Sequence, residues 1–128
     1  MRYEKLFVLA EDARCQAYAP FSGFKVGAAL LTTGGVFRGC NVENVSFGLT
    51  MCAERVAVGA AVAMGIYKFE VLVLVADSGE PVVPCGACRQ VLAEFSPDLH
   101  VISRNLSGKV EEFSLGRLLP SPRQGIMG

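Results

Sequence analysis

The chain has no surplus of charge of either sign: lysine and arginine total 12, aspartate and glutamate 12. Such a balance offers no field for a polyanion, which argues against nucleic acid as a bulk substrate. No apolar run approaches membrane-spanning length. The opening residues Met1-Arg2-Tyr3-Glu4-Lys5 lack a cleavage-like site and bring acidic side chains in early, so a signal peptide is not expected. Repeats and low-complexity tracts are absent. Five cysteines fit a reducing cytoplasm better than a disulfide framework. A length of 128 residues leaves room for one domain, expected over 1–120 with a tail at 121–128, and little else. What the chain has in excess is apolar: 52% of its residues are hydrophobic, with much alanine and glycine. In so small a protein, part of that surface is expected to lie under sister subunits.

Chemistry concentrates in two short stretches, Cys52-Ala53-Glu54 and Pro84-Cys85-Gly86-Ala87-Cys88. Cys85 and Cys88 at a helix start share one face. With Cys52 from a second helix start they make three thiolates, which bind zinc and leave its fourth, tetrahedral position open for water. Bound zinc lowers the pKa of that water from 15.7 to about 7. Glu54, beside the metal without binding it, can carry protons. A redox role for Cys85 and Cys88 would leave Cys52 and Glu54 idle. A closed structural site needs a fourth ligand, for which Cys15, Cys40 and His100 are the soft candidates. Free cysteine is usually buried and a lone histidine is more often structural, so the open site is favoured.

Helical spacing of Leu6, Ala10, Ala13 and Ala17 predicts an amphipathic helix near 2–18, ended by Pro20 and a Phe21-Ser22-Gly23 turn. Residues 24–32 and 36–42 read as strands about a Gly34-Gly35 hairpin turn. In the second, Asn41 and Glu43 point one way, toward a cleft if Cys40 and Val42 face the core. A loop over 44–50 precedes a helix over 52–64, whose Ala57, Ala60, Ala61 and Met64 share a face that lets another backbone approach. The continuous apolar run 71–76 predicts a central strand buried on both faces. A helix over 86–95 turns Cys88, Val91, Leu92 and Phe95 inward. Short strands follow at 99–103 and 109–113, around a turn at 105–108. The alternation gives an α/β layered fold.

Cys-x-Glu with Pro-Cys-x-x-Cys is the zinc deaminase signature in its three-cysteine form. Together with Ala19-Pro20-Phe21-Ser22-Gly23-Phe24-Lys25-Val26-Gly27-Ala28-Ala29, Gly39-Cys40-Asn41-Val42-Glu43-Asn44, Cys52-Ala53-Glu54-Arg55 and Pro84-Cys85-Gly86-Ala87-Cys88-Arg89-Gln90, it makes the chain resemble the small homotetrameric cytidine deaminases from about residue 10 to Pro120. The resemblance implies a three-layer α/β sandwich, a five-stranded mixed sheet with helices on both faces. It implies a cytoplasmic homotetramer with shared active sites that deaminates cytidine and 2′-deoxycytidine in pyrimidine salvage. Cys52, Cys85 and Cys88 would bind one zinc per chain, with Glu54 as proton shuttle. Asn41 and Glu43 would hold the ribose, Phe24 and Ala53 would contact the substrate, and the loop of Val45 to Phe47 would reach into a neighbour's site. Arg55 would offset thiolate charge beside the metal, as would the two helix N-termini; its bland alternative is a solvated helix residue. The chain departs from the family at Phe47, where tyrosine is usual, and after Leu118-Leu119-Pro120, where a late aromatic gives way to Ser121-Pro122-Arg123-Gln124. Ile126 and Met127 are the apolar residues left there. Two rival functions stand beside this one: deamination of another cytosine compound such as an antibiotic nucleoside, which Asn41-Val42-Glu43 argues against, and a non-catalytic zinc-stabilised binding module, which has no need of Glu54.

Overall fold

A computed structural model describes residues 3–122. Expectations attached to Met1, Arg2 and the tail beyond Pro122, Ile126 and Met127 included, lie outside the described residues. The elements follow in the order α1 (Glu4–Arg14), β1 (Val26–Thr32), β2 (Gly35–Cys40), a 3₁₀ turn (Phe47–Leu49), α2 (Ala53–Ala63), β3 (Phe69–Ala76), α3 (Gly86–Phe95), β4 (His100–Asn105), β5 (Val110–Ser114) and α4 (Leu115–Leu118). The strands form one mixed sheet in the order β2-β1-β3-β4-β5, with β3 and β4 parallel and every other neighbour antiparallel.

The run of apolar residues in β3 becomes the middle of the sheet because it has something to bury on each side. Val71, Val73 and Val75 pack with Leu6, Phe7 and Ala10 of α1 on one face. Leu72 and Leu74 pack on the other with Ala57, Val58 and Ala61 of α2 and Leu92 of α3. Alternation of period two is thus present, but both phases are apolar because both faces are covered. Glycine sets how closely the helices can lie. A Cβ on Gly27 of β1 would collide with the Ala10 carbonyl oxygen of α1, and a Cβ on Gly39 of β2 would collide with that of Ala53 while sitting 2.6 Å from the Ala57 nitrogen. The second contact presses the first turn of α2, the turn that follows Cys52, directly onto the sheet.

Several boundaries differ from those read in the sequence, for local reasons. The first helix stops at Arg14 because Gln16 and Ala17 donate to Ala13 and Arg14 in a tighter i+3 pattern. The chain then pairs with a later segment: the Tyr18 N–H donates to the Asn41 carbonyl at 3.0 Å and the Glu43 N–H to the Tyr18 carbonyl at 2.8 Å. The hairpin turn falls on Thr33-Gly34, one residue early, with Gly35 at a φ of 112° opposite Thr32. Strand β2 ends at Cys40, because the Asn41 side chain takes over the pairing at the head of β1. Its Oδ1 accepts the Val26 N–H at 2.8 Å and its Nδ2 donates to the Phe24 carbonyl at 2.8 Å. Asn41 is therefore buried and Val42 exposed, the reverse of a core-facing Val42. Val42 instead exchanges a pair of 2.9 Å hydrogen bonds with Met51 and so delivers the chain to Cys52. Met64 is exposed, not part of the buried alanine face, because α2 has ended and Gly65 turns the chain at a φ of 78°. The one-turn α4 carries no recognisable pattern in the sequence. No helix of the described residues is long and apolar enough to cross a membrane.

Gly39→Val should be destabilising by roughly 1–3 kcal/mol or more, since added core volume against rigid backbone forces α2 off the sheet. Thermal melting checks this. A melting temperature equal to that of the wild type would mean that the contact between α2 and β2 yields easily.

Candidate metal centre and substrate cleft

Cys52 and Cys85 occupy equivalent places, each the extended residue that caps a helix start, at α2 and α3 respectively. Cys88 lies one turn into α3 on its buried face. Neither cap side chain bonds a helix N–H, so both sulfurs are free to face one another. The three Sγ atoms lie within 4.8 Å of one another, with Cys52 to Cys85 at 3.9 Å and Cys85 to Cys88 at 3.5 Å. Tetrahedral zinc with Zn–S bonds of about 2.3 Å separates its sulfurs by roughly 3.8 Å, so this donor set fits zinc. Cys15, Cys40 and His100 are not part of the cluster; His100 sits in β4 with its Nε2 3.5 Å from Glu112.

The charges around the sulfurs are graded. Arg55, one turn into α2, donates from Nη2 to the Cys52 Sγ at 3.7 Å and to the Thr50 carbonyl at 3.1 Å. A hydrogen bond from Cys88, with help from Arg55, pulls the Cys52 thiol down to about 5 against the effect of burial. Cys88 moves the other way, raised by the same pairing and by burial. Glu54 is 6% exposed, and burial, assisted by the neighbouring Cys52 charge, pushes its carboxyl up to about 7. A carboxyl balanced near neutrality is suited to taking up a proton and giving it away.

A cleft of about 240 Å³ opens over the cluster, and Cys52, Cys85, Glu54, Ala53, Asn41 and Phe24 all line it. Most of the site read from the sequence is thereby brought together. Glu43 and Phe47 are not in this cleft. They line an adjoining one of about 390 Å³ with Phe21 and Ser22, and Thr50 borders both. Glu43 there serves the turn at 21–22: its Oε1 accepts the Phe21 and Ser22 N–H groups at 3.0 and 3.1 Å, and its Oε2 accepts the Ser22 hydroxyl. The hydroxyl bond is the main reason its carboxyl is held below the usual carboxylate range. Phe47 meets Phe21 edge-on with centroids 6.2 Å apart. Val45 is 79% exposed and lines neither cleft. Thr50, Val26, Val82 and Val83 complete the metal-bearing cleft; Val26 falls within the motif at 19–29, whereas no motif in the sequence contains the other three. Proximity in sequence to Cys52 and Cys85 is the available signal for Thr50, Val82 and Val83.

A three-layer α/β domain that presents an open three-thiolate site beside a buried carboxylate defines a zinc-dependent hydrolytic deaminase. The comparisons with known proteins agree. The family described as the cytidine and deoxycytidylate deaminase zinc-binding region matches residues 1–103, and the chain belongs to that family. A cytidine deaminase of Sporosarcina psychrophila is 49% identical over 122 residues, covering 94% of this chain and 90% of its own length. The crystal structure of a cytidine deaminase from Burkholderia pseudomallei superimposes with a TM-score of 0.90 at 49% identity, covering 94% and 98% of the two chains. A blasticidin-S deaminase of Bacillus cereus is 31% identical over 126 residues, covering 91% of this chain and 83% of its own. The five-stranded mixed sheet with helices on both faces is the fold expected from the resemblance.

The purified protein should contain about one zinc per chain, because the three sulfurs build one site. Cys85→Ala should lose both metal and thermal stability, since metal binding and folding are coupled. Elemental analysis and melting check both; full metal content in the variant would remove Cys85 from the ligand set.

Proposed function

We propose that the protein hydrolyses the exocyclic C4–N bond of cytidine and 2′-deoxycytidine, releasing ammonia and leaving uridine and 2′-deoxyuridine for pyrimidine salvage. The observation that carries this reading is Glu54, buried and facing the same cleft as the three sulfurs. When bound, zinc polarises a water and lowers its pKa from 15.7 to about 7. Glu54 accepts the proton that the water gives up as its oxygen adds to C4. It passes that proton to the ring nitrogen N3, then takes the second proton from the hydroxyl now on C4 and delivers it to the amino group, whose C4–N bond breaks to release ammonia as C4=O forms. Water and nucleoside are consumed and the carboxylate is regenerated, so the proton count closes.

Phe24 offers a ring to the substrate, and Ala53, next to Glu54 in sequence, also lines the cleft. Asn41 spends its carbonyl oxygen on the first residue of β1, Val26, and one N–H on Phe24 just ahead of it. Its second N–H remains for a sugar hydroxyl. Glu43 is the other group assigned to the ribose, from the adjoining cleft. Phe47 is 74% exposed, and Val45 and Leu49 flank it as further exposed apolar residues. An apolar rim of that kind supports a homotetramer in which the loop of Val45 to Phe47 is covered by, and contributes to, a sister subunit. A reducing, cytoplasmic location suits the unpaired thiols.

The antibiotic-nucleoside alternative has one point in its favour, the 31% identity to the blasticidin-S deaminase. The 49% identity to the Sporosarcina psychrophila cytidine deaminase and the Asn41-Val42-Glu43 triplet favour cytidine. A non-catalytic zinc module leaves Glu54 unexplained, since nothing structural is gained by burying a carboxyl with a raised pKa. Ultraviolet loss of the cytidine chromophore, measured with and without a chelator, tests the proposal; unchanged absorbance with zinc-loaded protein contradicts it.

Glu54→Gln should keep zinc and fold while turnover falls by at least about 10²–10⁴-fold, the range of general acid–base assistance. Loss of zinc in this variant would make Glu54 a ligand instead. Phe47→Tyr should lower KM for cytidine roughly two- to tenfold with kcat little changed, because it restores one neutral hydrogen bond of about 0.5–1.5 kcal/mol that contributes equally before and during reaction. Steady-state kinetics decide: a changed kcat at constant KM would place the hydroxyl at the reacting atoms and not at the sugar.

A further inference from the structure

We propose that Arg89 is a positioning residue for the metal site, tying the peptide ahead of Cys85 to the end of α4 and so setting how firmly Cys85 holds the metal. Arg89 follows Cys88 in α3, and its side chain turns back across the helix start. Its Nε–H donates to the Pro84 carbonyl at 2.7 Å, and its Nη1 donates to the Leu118 carbonyl at 3.1 Å. Both acceptors are backbone groups that secondary structure leaves unserved. Pro84 precedes the cap residue Cys85, and Leu118 ends α4, where helical carbonyls have no partner.

The Pro84 bond matters most because of what proline leaves free. The pyrrolidine ring fixes φ near −65°, so the direction of the Pro84 carbonyl is set by ψ alone. That same ψ aims the peptide that carries Cys85. Fixing the carbonyl with a charged donor therefore fixes the approach of Cys85 to its partner sulfurs. Pro84 is itself among the most deeply buried residues, so the clamp acts on a packed point. The far end of the same loop is held independently: Asn105, 2% exposed, donates from Nδ2 to the Ser78 and Gly79 carbonyls at 2.9 and 3.1 Å. The loop between β3 and α3 is thus pinned at its start by Asn105 and at its end by Arg89.

The two arginines of the site consequently differ in kind. Arg55 touches a sulfur and acts by charge. Arg89 grips two carbonyls, one at the metal site and one on the segment that leads to Pro120. Gln90 adds a longer tie, with its Nε2 3.4 Å from the Pro122 carbonyl. Through Arg89 the placement of Cys85 depends on a segment about thirty residues later (hydrogen bond from 89 to 118, separation 29).

The inference rests on Cys85 being a zinc ligand, and its test separates the two claims. Zinc-loaded wild type, Arg89→Gln, Arg89→Lys and Gln90→Ala are mixed with a chromogenic chelator, each at the same interval below its own melting temperature. Arg89→Gln should release zinc about ten- to a hundredfold faster, in line with the ten- to hundredfold loss of metal affinity that follows removal of a group orienting a metal ligand. Arg89→Lys, able to serve one carbonyl at a time, should fall between, and Gln90→Ala should match the wild type. Cobalt-substituted Arg89→Gln should also show shifted thiolate-to-metal absorption bands, which a merely structural clasp would leave in place. If Arg89→Gln does not fold, Arg89→Lys carries the same comparison. Wild-type release rates with unshifted bands overturn the role of Arg89, as does equal acceleration in Gln90→Ala. A wild type that takes up no zinc overturns the ligand assignment itself.

Discussion

Three thiols gathered within 4.8 Å cannot all ionise unless positive charge is brought to them. The rest of the site answers that constraint. Cys52 and Cys85 cap two helices, so the partial positive charge of each N-terminus, roughly half an elementary charge, points toward the sulfurs. Arg55 adds a guanidinium on Cys52. In this environment Cys52 ionises readily while Cys88, hydrogen-bonded to it and more deeply buried, holds its proton more tightly. Zinc completes the neutralisation, and because only three sulfurs converge, one coordination position is left for chemistry. Glu54, raised to about 7 by its own burial, is the group that can use that position.

The fold supplies the constraint that brings two distant cysteine stretches together. Cys52 and Cys85 are 33 residues apart, and they meet because α2 and α3 cover the same face of the sheet. Gly39 lets α2 sit on β2 with its first turn, which carries Glu54 and follows Cys52, against the strand. The parallel pairing of β3 with β4 requires a crossover, and α3 is that crossover. The clamp of Asn105 on Ser78 and Gly79 holds the loop leading into it. Positions of a few ångströms at the sulfurs are therefore decided by backbone contacts elsewhere in the sheet.

The chemistry is legible in residue spacing alone: a Cys-x-Glu and a Cys-x-x-Cys each fix local geometry at a helix start, and the residues of β3 announce a strand covered on both sides. Other features are hidden because their partners are remote in sequence. Asn41 has the pattern of a cleft residue, yet most of its hydrogen-bonding capacity goes to Phe24 and Val26 some fifteen residues back (separation 15 to Val26). Glu43 has the pattern of its same-face companion, but strand β2 ends at Cys40, so the alternation that links the two does not extend to it. Its carboxylate caps the turn at Phe21 and Ser22 instead. The bridges of Val42 to Tyr18 and Met51 likewise depend on segments that meet only after folding. Local periodicity carries no information about such pairings, which is also why helical spacing runs on past Arg14 where the helix does not.

Three sulfurs should hold the zinc, leaving one position open, with the Glu54 carboxylate beside the metal and not on it. X-ray absorption at the zinc edge of the wild type and of Glu54→Gln measures this directly. Three sulfurs at about 2.3 Å and one oxygen at about 2.0–2.2 Å are expected in both proteins. A fourth sulfur in the wild type, or loss of the oxygen scatterer in Glu54→Gln, would contradict this coordination.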